Sequence, residues 1–317
     1  MRDETPRTAA KTPSPAAETP SPAATAPSPA AVGQARDLPL DSHLHTDLSP
    51  DSDVPIDVYA AQAVERGIAE LAITDHVDFH PRDPAYGYTT FDQRERVVRE
   101  AAERWADRGV AIRFGVELTY NRRWEADVRD HLARHRYDFT IGSVHDWPGS
   151  AYRHPGRFAA WAAGRTLAQI VTPYFEEVLA AAQSGLFDTI GHLDVVKRYI
   201  GARVSPAELG AAPELYEPIL RGLIESGTGL EVNTSGLRQA VGETYPSAPI
   251  VALYHELGGR HVTAGSDAHR ADSFAFGLEE GYRVAGEAGF GELMFRRGGE
   301  RISVALPGRV RDAPRHT

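Results

Sequence analysis

The stretch DSHLHTDLSPDS, residues 41–52, closes the first apolar run of the chain (Leu38–His45) on a His-x-His pair, His43 and His45. Residues i and i+2 of an extended strand project to one side, so both imidazoles leave the strand on the same face. The pattern recurs down the chain. Further apolar runs lie at Glu70–His76, Val110–Glu117, Phe139–His145, Phe187–His192, Gly229–Asn233 and His261–Asp267, nearly all stopping at a metal-ligand residue type, with Ile302–Leu306 as an eighth candidate. Stretches of helical period separate them. In Ile56–Gly67 the residues Val58, Ala61, Ala63 and Val64 approximate one apolar face, and in Asp92–Gly109 the glycine would stop the helix. Alternation of this kind predicts repeated βα units around a parallel sheet.

In parallel barrels the C-terminal ends of all strands open on one mouth, so seven remote segments are brought together there. The residues delivered are His43 and His45; Asp75 and His76; Glu117; His145; His192 and Asp194; Glu231 and Asn233; and Asp267 and His269. Six of the 13 histidines (43, 45, 76, 145, 192 and 269) occupy such ends. His131, His135, His154, His255, His261 and His316 lie in helical, loop, strand-start or tail contexts and read as structural or solvated; His80 stays undecided. Imidazole and carboxylate together suit zinc, iron or manganese better than calcium or magnesium. The inventory exceeds the needs of one ion and points to two or three.

Composition narrows the classes. The chain of 317 residues is 42% hydrophobic and 25% charged, which permits an extensive core. It has no cysteine, which excludes disulfides, thiol nucleophiles and thiolate metal sites and fits a reducing compartment. The net charge of −10 speaks against a general nucleic-acid-binding surface and for a small substrate. No apolar run approaches the roughly 20 residues of a membrane span, so the expected location is cytoplasmic. Residues 1–36 contain TPSPAAETPSPAATAPSPAA and almost nothing to bury; they read as a disordered tail ahead of one domain over residues 37–317. Nothing in the sequence reports the oligomeric state.

DSHLHTDLSPDS, TDH at 74–76, GSVH at 142–145 and GSDAH at 265–269 together resemble the motifs of the PHP (polymerase and histidinol phosphatase) superfamily, in their proper order. The stretches GVELTY, GHLDVVKRY, LEVNTSGLR and ETYPSAPIV look like its histidinol-phosphatase branch. The resemblance covers residues 38–290 and implies a distorted (β/α)7 barrel, a TIM-like fold. It implies a metal-dependent phosphatase that acts on histidinol phosphate in histidine biosynthesis, with nucleotide phosphoesters as the alternative substrates and a non-catalytic barrel as the alternative class. A metal-dependent amidohydrolase barrel also begins with His-x-His, but Lys11 and Lys197 are the only lysines and neither suits its metal-bridging position. The implied metal ligands are His43, His45, Asp51, His76, Glu117, His145, His192, Asp267 and His269, with Glu117 bridging two ions. Asp51 stands where other branches have histidine.

For a phosphomonoester, clustered cations would neutralise the phosphate charge and activate water for in-line attack on phosphorus. Arg198 and Arg238 follow ligand-bearing strands, where guanidinium groups could clamp phosphate oxygens; Ser266 and Lys197 are further candidates for phosphate binding. Either Asp78 or His80, just beyond His76, is the candidate that protonates the leaving alkoxide. Asp194 either touches metal or orients a ligating imidazole.

Overall fold

The computed structural model describes residues 40–146, 150–297 and 300–306; the tail expected over residues 1–36 lies outside them. Strands β1 (Leu40–Leu44), β2 (Glu70–Ile73), β3 (His76–Val77), β4 (Ala111–Thr119), β5 (Phe139–Ser143), β6 (Thr189–Ile190), β7 (Gly229–Asn233) and β8 (Val262–Gly265) are all parallel. Their order is β1-β2-β4-β5-β6-β7-β8, with β3 also on β4. Ile73 pairs with Phe114 and His76 with Glu117, so β3 resumes the path of β2 in unchanged register after a break at Thr74 and Asp75. Counted so, the barrel has seven staves.

The ring closes between its first and last strands. The Asp267 N–H donates to the His43 carbonyl (2.8 Å) and the His45 N–H to the Ala268 carbonyl (2.9 Å). Closure needs a close approach at Gly265, where a Cβ would lie 2.4 Å from the Cβ of His43. Two residues that carry candidate ligands thereby form the seam itself.

Helices return outside the strands. Helix Ile56–Arg66 buries Ile56, Tyr59, Ala60 and Ala63 and ends on Gly67 at φ 69°. Of the face expected from Val58, Ala61, Ala63 and Val64, Ala63 is fully buried, whereas Val58 and Val64 are 37% and 42% exposed. Tyr59 decides the rotation: its ring is fully buried and its hydroxyl donates to main-chain carbonyls at the barrel seam. The next helix runs Phe91–Ala106, capped by Thr90, and is closed as expected by Gly109 (φ 84°), whose N–H donates to the Ala106 carbonyl (3.0 Å) while the Val110 N–H donates to that of Trp105 (3.4 Å).

The eighth strand candidate is not a stave. Glu300–Ala305 (β10) pairs antiparallel with Glu292–Arg297 (β9) in a separate two-stranded sheet. A short connection permits a hairpin, whereas another parallel stave would require a crossover. The hairpin covers the end of the barrel away from the candidate ligands, with Met294 and Arg301 beside Phe139, Gly229 and His261 at the strand starts. Among the described residues no helix is long and apolar enough to cross a membrane.

Candidate metal centre

All nine residues that the sequence resemblance marks as ligands meet at the C-terminal mouth. His43, His45 and Glu117 have no exposure, and His192 has 2%. The ε nitrogens of His43 and His45 are 3.0 Å apart. Glu117 Oε2 is 2.9 Å from His76 Nδ1, 3.3 Å from His45 Nε2 and 3.4 Å from His43 Nε2. Its Oε1 is 2.9 Å from His192 Nε2 and 3.2 Å from His145 Nε2. One carboxylate therefore faces two sets of imidazoles with two different oxygens. Asp267 Oδ1 lies 3.4 Å from His269 Nδ1 and 3.5 Å from His45 Nε2, and Asp51 Oδ2 lies 3.2 Å from both His76 Nε2 and His269 Nε2.

These separations fit metal coordination. Nitrogen and oxygen donors about 2.0–2.2 Å from a shared cation sit roughly 3–3.6 Å from one another. Four sets of such donors each fall within 4.8 Å: His45, Asp51, His76 and His269; His43, Glu117 and His192; His43, His45 and Asp267; and His76, Glu117 and His145. Glu117 Oε2 is buried without a properly directed hydrogen bond, although three imidazole nitrogens surround it. The donor atoms of each set lie close enough together to share one cation.

Electrostatics agree. Burial pushes the His76 imidazole down, but the carboxylates of Glu117 and Asp51 outweigh it and hold its pKa up to about 10. Burial would raise Glu117, yet the imidazoles of His76, His145 and His43 hold it well below its ordinary value. Burial and the neighbouring imidazoles push His45 down, opposite to His76, and any proton held on a ligating nitrogen must leave when a cation binds there. Two of the candidate ligands, His192 (φ 21°) and Asp267 (φ 53°), are among the three non-glycine residues with positive φ in the described chain, a strained backbone used to aim side chains.

Other strand-end residues are turned elsewhere. Glu231 Oε1 lies 2.6 Å from His43 Nδ1, while its Oε2 accepts from the His192 N–H (2.8 Å) and from Asn233 Nδ2 (3.0 Å). It orients an imidazole from behind. Its place on β7, two residues before Asn233, put it on the right face in sequence, but not its depth. Asp75 instead accepts from the main-chain N–H and hydroxyl of Thr46 (2.6 and 2.8 Å). Asp194 accepts from Tyr216 (2.8 Å) and pairs with Lys197 (2.9 Å), so neither expected role, on metal or on a ligating imidazole, is the one it has.

The centre floors a cavity of about 320 Å³ whose wall includes Asp51, Asp78, Thr119, Asp146, Arg153 and Arg198. Arg198 stands where the sequence places it. Arg153 joins it, each guanidinium carbon 5.9 Å from the centre of the Tyr199 ring. Sequence reading missed Arg153, which lies eight residues beyond His145 at the end of the β5 motif GSVH, with no local pattern that sets it apart from other loop arginines. Three expected phosphate ligands are corrected. Lys197 is buried with its ammonium held by Asp194, Glu243 (2.7 Å) and the Thr244 carbonyl (3.2 Å). Ser266 is fully buried and donates its N–H to Asp41 (2.8 Å). Arg238 donates to the carbonyls of Ser266 (2.7 Å) and Asp267 (2.6 Å). None of the three lines the cavity.

Between the two candidate acids the structure separates Asp78 from His80. Asp78 is 8% exposed on the cavity wall, its carboxyl pushed up by burial and by nearby Asp83. His80 lines an adjoining hollow, where its Nδ1 accepts from the Arg82 N–H (3.1 Å). A larger hollow of about 660 Å³, bounded by Ser150, Tyr152, Arg157 and Trp161, has no histidine or carboxylate among its described walls.

Known proteins share this plan. Residues 41–235 match the PHP domain family. The probable histidinol-phosphatase of Deinococcus radiodurans is 30% identical over 259 residues, 81% of this chain and 96% of that protein. The histidinol-phosphatase of Lactococcus lactis is 25% identical over 255 residues, covering 80% of this chain and 93% of its own. The crystal structure of histidinol phosphate phosphatase from L. lactis, complexed with zinc, L-histidinol and phosphate, superposes with a TM-score of 0.72 at 24% identity, covering 83% of this chain and 98% of the other.

Proposed function

Because the chain belongs to the PHP domain family, we propose that it is a phosphomonoester hydrolase that converts L-histidinol phosphate and water into L-histidinol and inorganic phosphate. The observation that carries this reading is Glu117, which presents one oxygen to His145 and His192 and the other to His43, His45 and His76 at the floor of a cavity walled by two arginines. Two or three divalent cations of the zinc, manganese or iron type suit these donors.

His43, His45, Asp51, His76, Glu117, His145, His192, Asp267 and His269 would hold the cations. When bound, such ions neutralise phosphate charge and lower the pKa of water at the site. The chain's own residues do the remainder. Glu231 fixes the tautomer and direction of His43. Arg153 and Arg198, on the cavity wall, supply paired N–H donors to the non-bridging phosphate oxygens. Asp78, on the cavity wall with its carboxyl pushed up by burial, is the group placed to give a proton to the oxygen of the departing alcohol.

Release of inorganic phosphate from L-histidinol phosphate, nucleoside monophosphates and other small monoesters tests the assignment. Turnover of L-histidinol phosphate should exceed the rest. Negligible turnover of it beside efficient hydrolysis of a nucleotide would replace the substrate, and failure to hydrolyse any ester in the presence of zinc or manganese would replace the reaction class.

A further inference from the structure

At the end of a parallel strand the ladder stops, and main-chain carbonyls beyond it need donors from elsewhere. Arg238 forks its two terminal nitrogens onto consecutive carbonyls, those of Ser266 (2.7 Å) and Asp267 (2.6 Å). The Tyr59 hydroxyl continues the row, within 3.1 Å of the Ala268 carbonyl and 3.0 Å of the His45 carbonyl. On the barrel side the same segment is tied to β1 by the Asp267 N–H and the Ala268 carbonyl. Residues 266–268 are thus gripped from both sides, and between the grips lies Asp267 at φ 53° with its carboxylate turned toward His43, His45 and His269.

The device occurs twice. Where β2 breaks before β3, the guanidinium of Arg94, only 3% exposed, forks onto the carbonyls of Asp75 (3.2 Å) and His76. His76 is the residue that reaches both Glu117 and Asp51. Each guanidinium therefore holds the main chain at a departure from regular strand that aims a side chain into the centre.

We propose that Arg238 and Arg94 are positioning residues that pre-set the main chain under Asp267 and His76 for metal binding, and that Arg238 does not contact the phosphoryl group. The proposal rests on the metal-dependent reading above. It predicts a different signature from a phosphate clamp, because a lost clamp raises KM and leaves the metal in place, whereas a lost positioning group weakens metal binding first.

The experiment is zinc affinity by competition with a chromophoric chelator, measured on the metal-stripped parent chain, Arg238→Gln, Arg238→Lys and Arg94→Lys, with kcat and KM on zinc-loaded samples. Arg238→Gln should lose about 10- to 100-fold in zinc affinity with KM changed less than about threefold, the usual scale for removing an outer partner of a metal ligand. Arg238→Lys, which keeps a cation but only a single point donor, should recover part of that loss, and it reads the effect if Arg238→Gln does not fold. Parent-like zinc affinity in the Arg238 variants, or a raised KM at full zinc content, overturns the proposal. A parent chain that takes up no zinc or manganese overturns the metal-dependent reading itself.

Discussion

Replacing Glu117 should dismantle the centre while leaving the barrel standing. The carboxylate has no exposure, and five imidazole nitrogens lie within 3.4 Å of its two oxygens. Removing one partner of a buried charged pair costs about 3–5 kcal/mol. At about 1.4 kcal/mol per factor of ten, this corresponds to a loss of roughly 10²- to 10⁴-fold in metal affinity. Glu117→Ala should therefore retain at least one ion fewer per chain after chelator-free dialysis, and lose activity with it. Glu117→Gln, which preserves shape and removes charge, should behave alike and so separate electrostatics from a packing defect. Metal analysis by mass spectrometry, with circular dichroism as the control for folding, provides the readout. A folded Glu117→Ala protein that carries the parent's full complement of metal would refute the bridging role.

Asp78→Asn should keep its metal and lose about 10²- to 10⁴-fold in kcat on an alkyl phosphate. Much less should be lost on p-nitrophenyl phosphate, whose leaving group needs no proton; equal losses on both would remove Asp78 as the acid. Arg198→Ala should raise KM about tenfold or more with metal content unchanged, on the scale of a lost charge-assisted hydrogen bond; an unaltered KM would exclude it from phosphate binding. His131 gives a test of stability at a histidine outside the ligand set. Burial, then the neighbouring His135 and Arg94, push its pKa down to about 4. The unfolded value is about 6.5, so its neutral form contributes stability above pH 6.5 that is lost as the pH falls toward 4. Discounted for partial exposure, the contribution is about 1–2 kcal/mol. Urea melts of metal-free protein at pH 7 and pH 5 should show a shallower loss for His131→Gln than for the parent; identical slopes would sink this reasoning.

The sequence alone determined that ligand-type side chains end successive apolar runs, and the two-residue period of a strand placed His43 and His45 on one side; Asp267 and His269 lie past the end of β8, where that period no longer holds. Parallel βα order then requires those ends to share a mouth, so the centre was legible before any coordinate. Local period says nothing about the path of the chain once the strand has stopped. There the direction is decided by contacts from distant segments and by strained dihedrals at His192 and Asp267. For that reason only the tertiary structure distinguishes Glu231 behind His43 from Asp75 on Thr46 and Asp194 on Lys197. It likewise turns Arg238 onto carbonyls, brings Arg153 to the cavity and makes the last strand pair a hairpin at the opposite end. A charged side chain goes where its desolvation is best compensated, and the compensating partners are remote in sequence.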